Sequence, residues 1–276
     1  MPSINCRGRL MDFERPRIMG ILNVTPDSFF AGSRVAAEKD LLERAEQMVN
    51  QGVDILDVGG YSSRPGAPRV DETEERRRLI PAIRSLHKHF PGVPLSADTF
   101  RSPIAREAVE AGACMINDIS AGNLDSNMFA TVARLQVPYV LMHMKGTPQT
   151  MQLNPEYDDV IMEINRFLAR KIRELHKLHV NDIIVDPGFG FGKTLDDNYR
   201  ILKHLDTFLW HDKILMVGIS RKSMLFKLLG GTPGDMLNAS TAVHMIALQK
   251  GARLLRVHDV GPAREAVDIF MQMQRV

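Results

Sequence analysis

The sequence predicts an α/β protein with the (β/α)₈ architecture of a TIM barrel, and three observations support this prediction. Short apolar segments alternate eight times with longer segments that carry apolar residues at helical spacing. The connections from helix to strand are short and marked by glycine, whereas several connections from strand to helix are long. The chain has 276 residues, which suits one such barrel. A doubly wound open sheet is the alternative fold.

The predicted strands are short segments rich in aliphatic and β-branched residues. In chain order they are RIMGILN, VDILDVGG, VPLSAD, ACMIND, PYVLMH, DIIVDP, KILMVGIS and RLLRVHD. Between them, apolar residues recur at three- and four-residue spacing, for example Leu41, Ala45 and Met48, which is typical of helices with one buried face. We expect a single domain over residues 1–276, in which residues 1–16 flank or plug the bottom of the barrel.

The two kinds of connection orient the predicted barrel. Gly52, Gly112 and Gly251 stand shortly before predicted strands, where glycine suits a left-handed cap at the end of a helix. The connections after the first, second and fifth strands are long and rich in Pro, Gly and Ser. Barrel enzymes carry their active sites on the face formed by strand-to-helix loops, so we expect the site there.

Composition excludes several classes of function. A formal net charge of +2 with 25% charged residues gives no field strong enough for nucleic-acid or membrane-surface binding. The N-terminus has no apolar signal segment and no stretch reaches about 18 apolar residues, so a cytoplasmic protein is expected. Cys6 and Cys114 have neither metal-ligand spacing nor a disulfide framework, which favours reduced structural thiols.

The segment IIVDPGFGFGKT, from Ile183 to Thr194, ends a strand on a carboxylate and continues into a glycine loop. It is not a P-loop, which needs a glycine at Pro187, and it lacks the two-residue spacing of the dinucleotide fingerprint. Proline offers no backbone donor and Asp186 would repel an anion, so the loop predicts a ligand edge rich in hydrogen-bond donors. Lys193 is assigned to the barrel rim.

Polar or ionisable side chains end nearly every predicted strand. For one such residue, capping of the next helix is the more common explanation, but for the whole set a shared barrel mouth is favoured. The set comprises Asn23, Asp57, Asp98, Asn117 with Asp118, His143, Asp186, Ser220 with Arg221 and Lys222, and Arg256 with His258. Within it, His143 is expected to be a core histidine, and Ser220 lacks the second glycine of a nucleophile elbow.

The set divides by charge, and the division predicts two halves of a site. Asp98, Asn117 and Asp186 offer acceptors to a neutral ring with N–H donors. The second half consists of cationic and imidazole donors, namely Arg64, Lys222, Arg256 and His258. These would suit an anion such as a pyrophosphate leaving group, with a divalent cation on Asn23.

Seven blocks of sequence lie in order at the predicted strand ends. They are MGILNVTPDSF from Met19, GGYSSRPGA from Gly59, NDI from Asn117, LMHMKGTPQTMQ from Leu141, DPGFGFGK from Asp186, SRKS from Ser220 and RVHDV from Arg256. Together they resemble the dihydropteroate synthase family of folate biosynthesis, over nearly the whole chain from about Arg17. The resemblance implies a transferase that joins 6-hydroxymethyl-7,8-dihydropterin diphosphate to p-aminobenzoate and releases pyrophosphate.

The resemblance also implies roles for individual residues. Mg²⁺ would bind at Asn23, and the catalytic residues would be Asp98, Lys222 and Arg256. The pterin diphosphate would contact Ser63, Asp98, Asn117, Asp186, Lys222, Arg256 and His258. Among these, Arg256 would stack on the pterin ring. The p-aminobenzoate site and its loops would use Phe29, Arg64, Pro65, Phe191 and Ser223. Release of pyrophosphate would precede attack by the amine, with Asp98 stabilising a cationic pterin methylene.

Two loops depart from the family pattern. Tyr61-Ser62-Ser63 stands where Glu-Ser-Thr is common, and Phe30-Ala31-Gly32-Ser33 where Ser-Asp-Gly-Gly is common. Sulfonamides, which mimic p-aminobenzoate, target this family. Two alternatives stay open, namely a pterin-binding methyltransferase, which needs no anion pocket, and a non-catalytic pterin-binding paralogue. Family members are commonly homodimers, and Ile269, Phe270 and Met273 of the final helix could serve an interface or the core.

Overall fold

The computed structural model describes residues 3–24, 34–61, 70–153 and 155–276. The strands in these ranges are β1 Ser3–Cys6, β2 Arg9–Asp12, β3 Arg17–Asn23, β4 Ile55–Gly59, β5 Leu95–Asp98, β6 Met115–Asp118, β7 Tyr139–Met142, β8 Ile183–Asp186, β9 Ile214–Val217 and β10 Leu254–Val257. Each of the eight predicted segments contains one of the strands β3 to β10.

Strands β3 to β10 are parallel and close into a barrel in which each pairs with its sequence neighbours and β10 pairs with β3. The predicted (β/α)₈ barrel is therefore confirmed, and the open sheet is excluded because no edge is left unpaired. The register brings strand ends to one level: Asn23 pairs with Gly59, Gly59 with Asp98, and Asp98 with Asn117. These residues surround the carboxyl-terminal mouth of the barrel.

Helices follow the strands and cover the outside of the barrel. They are α1 Arg34–Asn50, α2 Glu72–His89, α3 Ser102–Ala111, α4 Met128–Leu135, α5 Val160–Lys177, α6 Leu195–Lys203, α7 Ser223–Leu229, α8 Leu237–Gln249 and α9 Val260–Met273, with 3₁₀ helices at Leu205–His211 and Pro233–Asp235. In α2, Leu79, Ile83 and Leu86 are fully buried at four- and three-residue spacing, as amphipathic packing requires. None of the described helices is long and apolar enough to cross a bilayer.

The first two strands form an antiparallel hairpin at the opposite end of the barrel from the mouth. Ile4, Cys6 and Phe13 are buried in one cluster with residues from the amino-terminal ends of the barrel strands, such as Met115 and Leu254. The Arg9 guanidinium donates to the carbonyl of Gly92 over 2.8 Å. The hairpin thus closes the bottom of the barrel core.

The predicted glycine caps are confirmed by positive φ angles at Gly52, Gly112 and Gly251. Gly112 ends α3 with φ 127°, and a Cβ there would lie 2.5 Å from Cγ of His87. Glycine is needed at this position because both the backbone conformation and the packing of α2 exclude a side chain.

Candidate active site

The predicted polar side chains at the strand ends lie around Gly59 and Gly218. Because glycine has no side chain, space is left among these polar groups. A Cβ on Gly59 would lie 3.5 Å from both Oδ1 of Asn23 and Oδ2 of Asp98. A Cβ on Gly218 would lie 3.9 Å from Oδ2 of Asp186 and from Nζ of Lys222. Residues that are tens of positions apart in sequence therefore converge on one mouth, as the strand-end pattern predicts.

Arg256 lies at the centre of a partly buried ion-pair network. Its Nε donates to Oδ2 of Asp57 and its Nη2 to Oδ2 of Asp98, both over 2.6 Å. Asn117 donates from Nδ2 to the same Asp57 oxygen over 2.9 Å. Asp57 is fully buried, whereas the side chains of Asp98 and Arg256 are 17% and 19% exposed. The buried Asp57 carboxylate therefore holds the network, including Asp98 and Arg256, in place at the mouth.

Asp57 belongs to the site, although our predictions assigned no role to it. It lies in the middle of β4, two residues before Gly59, and a carboxylate within an otherwise apolar strand is the signal that points to it. Its second oxygen, Oδ1, is buried without a hydrogen-bond partner among the described residues. A buried carboxylate that has lost its hydration needs a neighbouring cation, and the Arg256 guanidinium lies in that position.

Burial and charge shift the ionisation of the two groups that Arg256 presents. Burial raises the pKa of Asp98 to about 7, Asp57 adds to the rise, and Arg256 opposes it. Burial alone would lower the pKa of Arg256. The carboxylates of Asp57 and Asp98 outweigh this effect and raise the pKa above its ordinary value. Arg256 therefore stays charged, while Asp98 titrates near neutral pH.

Asp186 and Lys222 form the second part of the mouth. Asp186 is buried at the end of β8, and its Oδ1 accepts the amide of Gly188 over 2.7 Å. Burial raises the pKa of Asp186, and the Lys222 ammonium opposes this. Burial also lowers the pKa of Lys222 to about 8, although Asp186 favours its charged form. An acceptor and a donor thus lie side by side, as recognition of a ring edge with both kinds of group requires.

Lys222 also connects this floor to the glycine loop, residues 187–192. Its Nζ donates to the carbonyl of Phe189 and lies 4.5 Å from the ring centroid of Phe191. Ser223 follows as the first residue of α7 and is half-buried. Lys222, Ser223 and Phe191 are therefore neighbours along one side of the mouth.

The predicted position of Lys193 on the barrel rim is wrong. Lys193 is buried, and its Nζ donates to the carbonyls of Gly188 and Phe191 over 2.8 and 3.0 Å. The loop packs tightly on the end of β7, where a Cβ on Gly188 would come within 2.0 Å of the His143 carbonyl oxygen. This close approach carries Lys193 inward. Burial lowers its pKa to about 7, opposed by Asp186.

Two members of the strand-end set have structural roles. His143 is buried, and burial together with Lys193 lowers its pKa to about 2, so the ring is neutral, as expected of a core histidine. Asp118 is fully buried and accepts the amides of Ser120 and Gly122 and the Tyr139 hydroxyl, at 2.7 to 2.9 Å. Its carboxylate organises the turn after β6.

Ser220 and Arg221 fix the turn between β9 and α7. The Ser220 hydroxyl accepts the backbone amide of His258 over 3.2 Å and lies 3.2 Å from Nδ1 of the same residue. Arg221 adopts a left-handed conformation with φ 55° and makes a bidentate ion pair with Asp259, at 2.7 and 2.8 Å. The turn thereby joins the ends of β9 and β10 and holds His258 beside Ser220.

An apolar cluster lies beside the floor. It contains Ile119, Met142, Met144 and Met151, with Phe100 and Phe191 packed against it. The ring of Tyr61 meets that of Phe100 edge to face, with centroids 5.2 Å apart, and its hydroxyl accepts from Gln149 over 3.0 Å. These surfaces suit a planar aromatic ligand. Phe100 and Tyr61 were not among the predicted site residues.

The structure also corrects the predicted separation of charge into an acceptor half and a donor half. Arg256 binds Asp57 and Asp98, and Lys222 lies beside Asp186, so donors and acceptors alternate around the mouth. The physical reason is burial, since each charge needs an opposite neighbour within the barrel. Asn23 lies half-buried at the end of β3. The predicted residues Phe29, Ser63, Arg64 and Pro65 lie outside the described residues.

The chain is similar to known proteins over most of its length. A family described as "Pterin binding enzyme" matches residues 19–258. The dihydropteroate synthase of Escherichia coli (strain K12) is 41% identical over 265 residues, which are 95% of this chain and 93% of that protein.

Two solved structures from Xanthomonas albilineans are similar throughout. A dihydropteroate synthase with 4-aminobenzoic acid has a TM-score of 0.92 and 41% identity, covering 100% of this chain and 99% of that one. One in complex with 7,8-dihydropteroate has a TM-score of 0.88 and 38% identity, covering 100% of each chain. Family and fold agree, and the chain belongs to the dihydropteroate synthases of the pterin-binding enzyme family.

Proposed function

We propose that the protein condenses 6-hydroxymethyl-7,8-dihydropterin diphosphate with p-aminobenzoate to give 7,8-dihydropteroate and pyrophosphate. The observation that carries the proposal is the buried Asp186 carboxylate beside the Lys222 ammonium. A pterin edge presents an amino group and a ring N–H to a carboxylate, and a ring oxygen to a cation. The X. albilineans structures with 4-aminobenzoic acid and with 7,8-dihydropteroate support both the second substrate and the product.

The side chains at the mouth would have separate tasks in this reaction. Asp186, Asn117 and Lys222 would bind the pterin, and the Arg256 side chain, anchored by Asp57, would lie against it. As the C–O bond to the diphosphate breaks, positive charge develops on the pterin methylene, and the nearby Asp98 carboxylate would stabilise that charge. The aromatic amine then forms the C–N bond and loses one proton, so it needs positioning more than activation.

The leaving group would be held by donors at the carboxyl-terminal end of β10. His258, oriented through Ser220, and Arg256 would hydrogen-bond the pyrophosphate as its negative charge grows. No covalent bond to the protein is needed. Phe191 and Ser223, which lie next to Lys222, would bound the p-aminobenzoate site, and the apolar cluster would exclude water from the cation.

Asn23 is a suitable Mg²⁺ ligand. Its amide oxygen lies at the end of β3, and Gly59 leaves open the space between this oxygen and Asp98, which a Cβ would occupy. No group of three or more His, Cys, Asp or Glu side chains that could hold a metal occurs among the described residues. One protein oxygen fits an ion that takes its other ligands from water and phosphate. When bound, Mg²⁺ would neutralise charge on the diphosphate.

We further propose a homodimer formed by the last part of the chain. Leu228, Leu229, Ile269 and Met273 are exposed, and Trp210 is 78% exposed, whereas Phe270 is buried in the core. Exposed large apolar side chains can contribute to association surfaces, and these all lie in the last third of the sequence. Sedimentation velocity at micromolar concentration would test this proposal. A single species of monomer mass would refute it.

Pyrophosphate release from the purified protein tests the reaction. The pterin diphosphate and Mg²⁺ are incubated with and without p-aminobenzoate. A synthase gives release that depends on p-aminobenzoate, together with 7,8-dihydropteroate detected by mass spectrometry. A methyltransferase or a non-catalytic pterin-binding protein gives background release in both samples, and that result would refute the proposal.

A further inference from the structure

Lys193 is a buried cation for which the proposed reaction has no use. Its Nζ lies 2.8 Å from the carbonyl oxygen of Gly188, 3.0 Å from that of Phe191 and 3.3 Å from that of His143. The fourth neighbour is Nδ1 of His143, at 3.1 Å. All four are neutral acceptors, and they belong to the segments that follow β7 and β8. One ammonium group therefore connects the segment after β7 with the segment after β8.

Two of these acceptors lead directly to proposed substrate contacts. Gly188, whose carbonyl binds Lys193, donates its amide to Oδ1 of Asp186 over 2.7 Å. Phe191, whose carbonyl also binds Lys193, places its ring 4.5 Å from Nζ of Lys222. Lys193 therefore contacts the proposed pterin acceptor, Asp186, through one intervening residue, Gly188. It is hydrogen-bonded directly to Phe191, the residue beside the proposed p-aminobenzoate site.

We propose that Lys193 is a positioning residue whose ammonium holds the glycine loop in the shape that directs Asp186 to the pterin and Phe191 to the p-aminobenzoate. The inference rests on the proposed function. Without the ammonium, buried carbonyls would lose their donor, and the loop would have to shift or admit water. With Asp186 and Phe191 displaced, both substrates would be bound more weakly.

Other contacts would keep the loop folded without Lys193. The Tyr157 hydroxyl donates to the Gly192 carbonyl over 2.6 Å, and Nε2 of Gln152 donates to that of Gly190 over 2.8 Å. Asn198 accepts the Gly190 amide over 2.7 Å. Loss of the ammonium should therefore displace the loop locally and leave the barrel folded, which separates positioning from general stability.

The test is Lys193→Met, which keeps the length of the side chain and removes its donors. Steady-state kinetics with each substrate varied in turn, together with the thermal midpoint, give the readout. We expect KM for both substrates to rise about tenfold or more, with a smaller change in kcat. Lys193→Gln keeps two donors and should restore part of the affinity.

Lys171→Met is the matched control. Lys171 is also mostly buried, with 11% of its side chain exposed, but it lies on α5, 5.1 Å from the ring centroid of Phe129. Its loss should change the thermal midpoint and leave both KM values within about twofold.

The possible outcomes separate this inference from the proposed function. An active wild-type protein with a folded Lys193→Met variant whose KM values are both unchanged would overturn the positioning role. So would a fall in kcat alone. Failure of both Lys193 variants to fold would make Lys193 a residue of general stability and would also overturn it. A wild-type protein without synthase activity would instead refute the proposed function.

Discussion

Arg256 and Asp57 are 199 positions apart in sequence, yet Nε of Arg256 lies 2.6 Å from Oδ2 of Asp57. Asp57 is fully buried, so the ion pair is anchored below the mouth. The same Asp57 oxygen accepts from Asn117, which means that one carboxylate orients two proposed pterin contacts. Asp57 can therefore control the site without touching a substrate.

Asp57→Asn should lower both stability and activity. Removing one partner of a buried ion pair leaves the other charge uncompensated, and we expect the free energy of unfolding to fall by about 3 kcal/mol. Urea denaturation would measure the change. Asp12→Asn is the control, because Asp12 pairs with Arg17 but is 54% exposed, and its loss should cost less than about 1 kcal/mol. Equal losses in the two variants would contradict the anchoring role of Asp57.

Asp186→Ala should weaken pterin binding. The substitution leaves ring donors unpaired in a buried site, which costs about 1 to 3 kcal/mol, or roughly a factor of 5 to 150 in Kd. Isothermal titration calorimetry with a pterin ligand would measure the affinity, with the exposed Asp206→Ala as a control. If pterin affinity were unchanged in Asp186→Ala, the acceptor at the end of β8 would have to be another group.

The pH dependence of kcat/KM should be bell-shaped. Asp98, with its pKa raised to about 7 chiefly by burial, must be ionised to stabilise the cation, so activity should fall as the pH drops below about 7. Lys222, with its pKa lowered to about 8 by burial, must be protonated to donate, so activity should fall above about 8. Lys222→Arg should remove the alkaline limb, since a guanidinium stays charged. An unchanged alkaline limb in that variant would assign it to another group.

His143 should make the fold sensitive to mild acid. Its pKa is lowered to about 2 by burial, whereas an unfolded histidine titrates near its usual value of about 6.5. The unfolded state therefore binds more protons below about pH 6.5, and stability falls with pH by up to about 1.4 kcal/mol per unit.

His143→Gln tests this contribution, because glutamine keeps an acceptor for Lys193 and does not titrate. Urea denaturation between pH 6.5 and 5 would give the slope of unfolding free energy against pH. In the variant this slope should be shallower by up to about 1.4 kcal/mol per pH unit, which corresponds to one proton. Identical slopes for the variant and the wild-type protein would show that His143 does not cause the acid sensitivity.

Much of the fold could be predicted because its signals are local. Each of the segments that contain β3 to β10 follows from short apolar runs, and the caps at Gly52, Gly112 and Gly251 follow from the backbone freedom of glycine. The strand-end rule then predicted which residues would meet at the mouth, because all carboxyl ends of a parallel barrel lie on one face.

The partners of those residues could not be predicted, because pairing depends on distances through the barrel. The sequence pattern by itself determined the barrel, its functional face and the polar character of Asp98, Asn117, Asp186, Lys222 and Arg256. Only the tertiary structure decided that Arg256 pairs with Asp57 and that Lys193 turns inward beneath the glycine loop. Both arise because a buried charge must find its partners among groups that the fold, and not the sequence order, brings near.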